Sequence, residues 1–174
     1  MAMPGTGKLM IFTAWIGAAV LLTWLFTGTL ERRDNPNQRV ETLRSGETVE
    51  VRLVRNAMGH YVATGRINGR SVRFFLDTGA THVALGGDLA RELGLERGGA
   101  GRTQTANGTI VTYRTVLDRV ELGGIRLTNV TAAINPAMSG DEVLLGMSFL
   151  QHLEMVQRGD RLLLRQTAPP GHSS

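Results

Sequence analysis

The sequence has 174 residues, enough for one domain with an appendage, and a formal net charge of +4. Its basic residues, mostly arginines, are spread along the chain between acidic ones, which is typical of a solvated surface and argues against nucleic-acid binding. The absence of cysteine excludes disulfides and thiolate metal sites.

The first feature along the chain is an uncharged run, Leu9–Leu30, which follows a short N-terminal segment of residues 1–8. As a helix of about 22 residues it would be roughly 33 Å long, enough to cross a bilayer core of about 30 Å. The run exceeds the usual signal-peptide core, and no Ala-x-Ala site closes it. The sequence therefore predicts an uncleaved, single-pass transmembrane helix over residues 9–30.

The charges that flank this run favour one membrane orientation. Lys8 precedes the run, whereas four arginines follow it within about fifteen residues: Arg32, Arg33, Arg39 and Arg44. Taken literally, the positive-inside rule places the C-terminal part of the chain in the cytoplasm.

Residues 31–48 lack apolar periodicity and contain Asn-Pro and Ser-Gly pairs, so we predict a flexible linker there. From Val49 onward, apolar residues alternate with polar ones, which indicates β-strands. The strongest hairpin signal is Asn68-Gly69, because both residues tolerate positive φ. The second strand of this hairpin would be the apolar strand that ends at Asp77.

Three more turn signals follow, at Asn107-Gly108, Gly123-Gly124 and Gly159-Asp160, so the domain is predicted to be mostly β. A short helix is expected after Gly87, capped by Asp88 and stopped at Gly94. A second short helix is expected after Gly146, which ends an apolar strand. The polar tail, residues 167–174, is predicted to be disordered.

The pentapeptide Asp77-Thr78-Gly79-Ala80-Thr81 carries the candidate chemistry. A carboxylate at the end of an apolar strand is costly unless it has hydrogen-bond donors. The Thr78 hydroxyl and the N–H groups of Gly79 and Ala80 are placed to supply them. An Asp-Thr-Gly turn is also common as a plain strand end, so its surroundings must decide.

Taken together, these elements resemble the retropepsin-like branch of the aspartic peptidases over roughly residues 48–166. Four features in the same order carry the resemblance: the hairpin leading into Phe74-Phe75-Leu76-Asp77-Thr78-Gly79-Ala80-Thr81, the helix ending at Leu93-Gly94-Leu95, the flap-like hairpin around Asn107-Gly108, and Leu144-Leu145-Gly146 before a short helix. With the N-terminal run included, the chain is most similar to membrane-anchored, bacterial, single-lobe members.

The resemblance implies an all-β, single-lobe acid-protease barrel over residues 49–166, preceded by the transmembrane helix. It implies that Asp77 is the catalytic carboxylate, with Thr78, Gly79, Ala80 and Thr81 forming the active-site loop. Ala106, Asn107, Gly108 and Thr109 would form a substrate-binding flap, and Gly146 would support the Asp loop. The peptidase domain would face the periplasm from the inner membrane, which overrides the arginine count.

Aspartic peptidase chemistry needs two carboxylates that share one proton. This chain has one Asp-Thr-Gly, and its domain is too short for two lobes, so we expect a homodimer with Asp77 contributed by each copy. The expected partners are a protein or peptide substrate and the inner membrane, without nucleic acid. No cofactor or metal is expected, because the histidines have no metal-ligand spacing.

Two alternatives remain open from the sequence. A membrane-tethered barrel of the same shape could bind extended peptides, or mediate dimerisation, without cleaving. A cytoplasmic-facing domain follows from the arginine count alone.

Overall fold

The computed structural model describes residues 5–105 and 108–167, and within them the side chains of residues 10–23, 31–103 and 108–167. Three helices lie in this part of the chain: α1 (Gly5–Asp34), α2 (Gly87–Glu92) and α3 (Met147–Leu150). The strands are β1 (Glu41–Ser45), β2 (Thr48–Val54), β3 (Val62–Ile67), β4 (Arg70–Leu76), β5 (Val83–Gly86), β6 (Ala100–Thr105), β7 (Gly108–Leu122), β8 (Ile125–Asn135), β9 (Glu142–Leu145), β10 (Glu154–Arg158) and β11 (Arg161–Thr167).

Six strands form a closed barrel in the order β3-β4-β9-β5-β8-β7, and pairing of β7 with β3 closes it. Strand β6 extends the outer edge of β7. Alternation along the strands turns one face inward, where large apolar side chains are buried: Ile67, Phe74, Leu85, Leu117, Ile134 and Leu145. Phe149 of α3 is buried in the same core. The chain therefore has a mostly β fold, as predicted.

The predicted hairpins at described residues are confirmed. Asn68 and Gly69 have φ values of 49° and 87° and join β3 to β4, as a two-residue turn with both central residues at positive φ requires. The turns at Gly123-Gly124 and Gly159-Asp160 join β7 to β8 and β10 to β11.

A second sheet has the order β1-β2-β11-β10. At its centre, Arg165 of β11 donates hydrogen bonds to Glu50 of β2 at 2.9 Å and to Glu154 of β10 at 2.8 Å. These two hydrogen bonds raise the pKa of Arg165 above its usual value. Because β11 lies between two strands of its own chain, it forms part of the interior of this sheet. Thr167, predicted to begin the disordered tail, ends β11, and residues 168–174 lie outside the described part.

The prediction of a flexible linker over residues 31–48 is wrong. Helix α1 continues to Asp34. The Ser45-Gly46 pair, which the linker prediction treats as a breaker, instead forms the turn between the paired strands β1 and β2. Between them, the buried Asn37 side chain donates to the carbonyls of Val54 at 2.9 Å and Val62 at 2.7 Å. It also accepts from the Val54 N–H at 2.8 Å. The folded domain thus begins well before Val49.

The predicted cap of α2 at Asp88 is wrong, because the N-cap of α2 is Gly86 and the Asp88 carboxylate pairs with Arg91 instead.

The described apolar side chains of α1, such as Phe12 and Trp15, are exposed. Over the described residues, none of the helices combines the length and the apolar character needed to cross a membrane.

Replacement of Asn37 by alanine should lower the free energy of unfolding by about 2–3 kcal/mol, because it leaves the Val54 and Val62 backbone groups without partners. The matched control is Gln38→Ala, next to it but exposed, which should change stability by less than about 0.5 kcal/mol. Urea unfolding of the full chain, followed by circular dichroism, measures both. Equal stability of the two variants would mean that residues 35–37 are not part of the folded domain.

Candidate active site

The Asp77 loop connects β4 to β5 and is held by backbone contacts. The Asp77 N–H donates to the Leu145 carbonyl of β9 at 3.2 Å, and the Ala80 N–H donates to the Asp77 carbonyl at 3.2 Å. The Asp77 side chain is half-buried, and its Oδ1 accepts from the Gly79 N–H at 2.9 Å. Of the three donors that the sequence predicts, the Gly79 N–H bonds to the carboxylate. The Ala80 N–H donates to the Asp77 carbonyl instead.

The junction between β9 and α3 lies beneath this loop. Strand β9 lies between β4 and β5, parallel to β4 and antiparallel to β5, so its end emerges beneath the loop that joins them. At this end the N–H groups of Met147 and Ser148 donate to the carbonyls of Ala80 at 2.8 Å and Thr81 at 2.9 Å. The start of α3 therefore holds the Asp77 loop at two successive residues, Ala80 and Thr81.

Gly146 lies at the point of closest approach. A Cβ atom built on it would be 2.3 Å from the His82 carbonyl oxygen and 2.7 Å from the Ala80 carbonyl oxygen. Both contacts are with backbone, which has little freedom to move away. The structure thus places Gly146 directly against the Asp77 loop, and a side chain there would displace the loop.

Ser148 is a residue that sequence reasoning missed. Its hydroxyl donates to the Thr131 carbonyl of β8 at 2.7 Å and accepts from the Val83 N–H at the start of β5 at 2.9 Å. No local signal in the sequence marks this serine as a bridge between strands. The serine fixes the outgoing end of the Asp77 loop.

Asp77 opens into a cleft of about 730 Å³. The floor is formed by small and apolar residues of three neighbouring strands, Ala84 of β5, Ala133 of β8 and Leu144 of β9. Asp77 is the only carboxylate in the cleft lining that the structure describes. Gly79, Ala80 and Thr81 also line the cleft, whereas Thr78 is exposed and lies outside this lining.

The β6–β7 hairpin forms the opposite wall. Thr103 of β6 and Ile110 and Thr112 of β7 line the cleft, and the hydroxyls of Thr103 and Thr112 are 2.8 Å apart. Of the predicted flap residues, Gly108 and Thr109 begin β7 and so belong to this hairpin, and Ala106 and Asn107 lie outside the described residues. The contribution of Thr103 and Ile110 was not predicted, because it depends on the register between the strands.

His82, just after the Asp77 loop, lines the cleft in a half-buried position. Its Nδ1 is buried and has no hydrogen-bond partner. Across the described ranges 5–105 and 108–167, no group of three or more histidine, aspartate and glutamate side chains could hold a metal ion.

Comparison with known proteins agrees with this geometry. A family model described as "gag-polyprotein putative aspartyl protease" matches residues 63–152, which is just over half of the 174-residue chain. The chain belongs to this family of retropepsin-like aspartic proteases. The matched range begins in β3 and ends just after α3, and it includes the Asp77 loop, the hairpin wall and Gly146.

A solved structure supports the same fold. The crystal structure of a retropepsin-like aspartic protease from Rickettsia conorii is 28% identical and superposes with a TM-score of 0.59, covering 75% of this chain and 97% of that one. The retropepsin-like fold expected from the sequence is thus confirmed.

Two curated relatives are both described as uncharacterized. A Sinorhizobium protein in the cobV 5′ region is 35% identical over 120 residues, or 67% of this chain and 52% of that protein. RP867 of Rickettsia prowazekii is 29% identical over 113 residues, or 63% of this chain and 48% of that protein. The chain spans about half the length of the curated relatives it matches.

Replacement of Gly146 by alanine should lower the free energy of unfolding by about 1–3 kcal/mol, because the new methyl group overlaps two backbone carbonyls of the Asp77 loop. Gly99→Ala is the matched control: Gly99 is exposed, and a Cβ there meets no atom within 4 Å. Thermal or urea unfolding of both variants measures the difference. A Gly146→Ala protein as stable as the control would contradict the close packing described above.

Proposed function

We propose that this protein is an aspartic endopeptidase that hydrolyses peptide bonds with water activated by a pair of Asp77 residues, one from each copy of a homodimer. The observation that carries the proposal is the position of Asp77, which is fixed at the end of a barrel strand and is the carboxylate of a cleft walled by the β6–β7 hairpin. Membership of the aspartic protease family supports the same chemistry.

The second carboxylate must come from a second copy, since the described lining of the cleft holds one. Two carboxylates a few Å apart cannot both ionise, so the pair shares one proton. The ionised carboxylate takes a proton from water, and the protonated one donates to the oxygen of the scissile carbonyl. The exposed Thr78, beside Asp77, is available for contacts that brace the two Asp loops against each other.

The substrate is an extended peptide. Within the described part of the chain, strand β6 is the outer strand of its sheet and pairs with β7 alone, so its other edge offers N–H and C=O groups to a bound strand. The β6–β7 hairpin, which includes the predicted flap residues, would act as the flap, and its closure over the peptide would exclude water from the reacting groups.

Replacement of Asp77 by asparagine should reduce cleavage of a mixed peptide library by roughly a thousandfold or more, because an amide cannot accept the proton of the attacking water. The shape of the loop should persist, since the amide oxygen can still accept from the Gly79 N–H. Mass spectrometry of the library after incubation with the full chain, at several pH values, identifies the cuts.

Asp160→Asn is the matched control, because Asp160 lies in the exposed turn between β10 and β11 and should leave cleavage unchanged. For the dimeric site, specific activity of the wild-type protein should rise with enzyme concentration. Cuts that persist in Asp77→Asn would rule out the proposed site. Peptide binding by both proteins without any cutting would favour the alternative, a non-catalytic module that binds extended peptides.

We further propose that Leu9–Leu30 anchors the protein as a single-pass helix in the inner membrane, with the peptidase domain in the periplasm. The absence of charge in this run supports insertion. So does the exposure of large apolar side chains around α1, including Met10, Trp15 and Leu22, which are 73%, 72% and 62% exposed.

Alkaline phosphatase, which is active only in an oxidising compartment, reports the orientation when fused after residue 174. We expect an active fusion, with the protein remaining in membranes after alkaline washing. An inactive fusion in the same membranes would indicate the cytoplasmic orientation that the four arginines after the run favour. Release by the wash would contradict the anchor.

A further inference from the structure

The C-terminal end of α1 is joined directly to the β domain. The last carbonyl groups of a helix lack partners within the helix, and here the domain supplies them. The Asn56 side-chain amide donates to the Asp34 carbonyl at 3.1 Å, and the Ala57 N–H approaches the Arg33 carbonyl at 3.4 Å. The Asn35 side chain, just after α1, donates to Thr64 of β3 at 2.9 Å.

The segment that caps α1 is itself a tightly bonded loop, Asn56–His60. The Asn56 Oδ1 accepts from the N–H groups of Met58 at 3.0 Å and His60 at 2.9 Å, and the Asn56 N–H donates to the His60 carbonyl at 2.8 Å. Met58 lies at the tip and is 66% exposed. The loop is therefore a fixed part of the domain that presents one large apolar side chain to the surroundings.

The position of this loop along α1 sets its distance from the apolar run. Arg33 follows Leu30 by three residues, or about 4.5 Å of helix axis at about 1.5 Å per residue. The headgroup layer on each side of a bilayer is roughly 5–7 Å thick. A loop in contact with the Arg33 carbonyl therefore lies at the level of the headgroups when the apolar run is in the membrane.

We infer that the Asn56–His60 loop is a lipid-contacting surface that inserts Met58 among the headgroups and holds the domain in one orientation on the membrane. This inference rests on the proposed membrane anchor. Arg32 and Arg33 in the last turn of α1 lie at the same level, where they complement anionic lipid phosphates. Glu31 and Asp34 lie beside these arginines, so the lipid surface would meet one large apolar side chain and a row of basic and acidic groups at the headgroup level.

This docking would also determine the height of the active site. The Tyr61 carbonyl, just after the loop, accepts from the Leu76 N–H at 3.0 Å, and Leu76 immediately precedes Asp77. Chain geometry therefore keeps Asp77 within about 20 Å of Met58. Substrate peptides would be cut close to the bilayer, which suits juxtamembrane segments of other membrane proteins.

The test uses the absence of cysteine from the chain, which makes a single introduced cysteine the only site for a thiol-reactive fluorophore. Full-length Met58→Cys carries the label in vesicles of phosphatidylcholine and phosphatidylglycerol that contain nitroxide-headgroup lipid. The matched control is Val116→Cys, which is 53% exposed and lines a surface groove with Asn68, at the opposite end of β3 from Tyr61. Both sites are exposed, so the label should leave the core intact.

We expect the nitroxide to quench most of the Met58→Cys emission and to leave the Val116→Cys emission unchanged. If the protein floats with the vesicles but both labels are quenched equally, or neither is, the docking inference is wrong and the anchor stands. If the protein does not float with the vesicles, the anchor itself fails, and the docking inference fails with it.

Discussion

The site depends on one contact between two stretches of backbone, Gly146 against the loop from Ala80 to His82. The N–H groups of Met147 and Ser148 bond to this loop only because no side chain at residue 146 holds the two stretches apart. The barrel topology makes the contact possible by inserting β9 between β4 and β5, which brings the end of β9 beneath the connection that carries Asp77. The position of the carboxylate is therefore set by sheet order as much as by its own turn.

Around this contact, the chain builds one half of the catalytic centre that we propose. It provides a fixed carboxylate, an apolar floor and a hairpin wall, but its described cleft lining has a single acid. A single carboxylate cannot act as both proton acceptor and proton donor in the same step. In the mechanism that we propose, the second acid comes from the same residue of a second copy, so assembly of the dimer would also assemble the catalytic pair.

Much of the fold follows from local signals in the sequence. Asn68-Gly69, Gly123-Gly124 and Gly159-Asp160 specify their hairpins because the turn conformations that they favour are set by neighbouring residues alone. The linker prediction failed because Asn37 is ordered by the Val54 and Val62 backbone, far away in sequence. The roles of Ser148 and Thr103 could not be predicted for the same reason, because their places in the site depend on which strands become neighbours.

The second sheet has a consequence for folding. Strand β2 pairs with β11 from Thr48↔Thr167 to Val54↔Arg161, so it remains an open edge until residues more than a hundred positions later have been synthesised. Contacts this distant in sequence slow folding, because a large loop must close before they form. The sheet can thus be completed only late in synthesis, and a chain interrupted before β11 would leave β2 exposed to unwanted pairing.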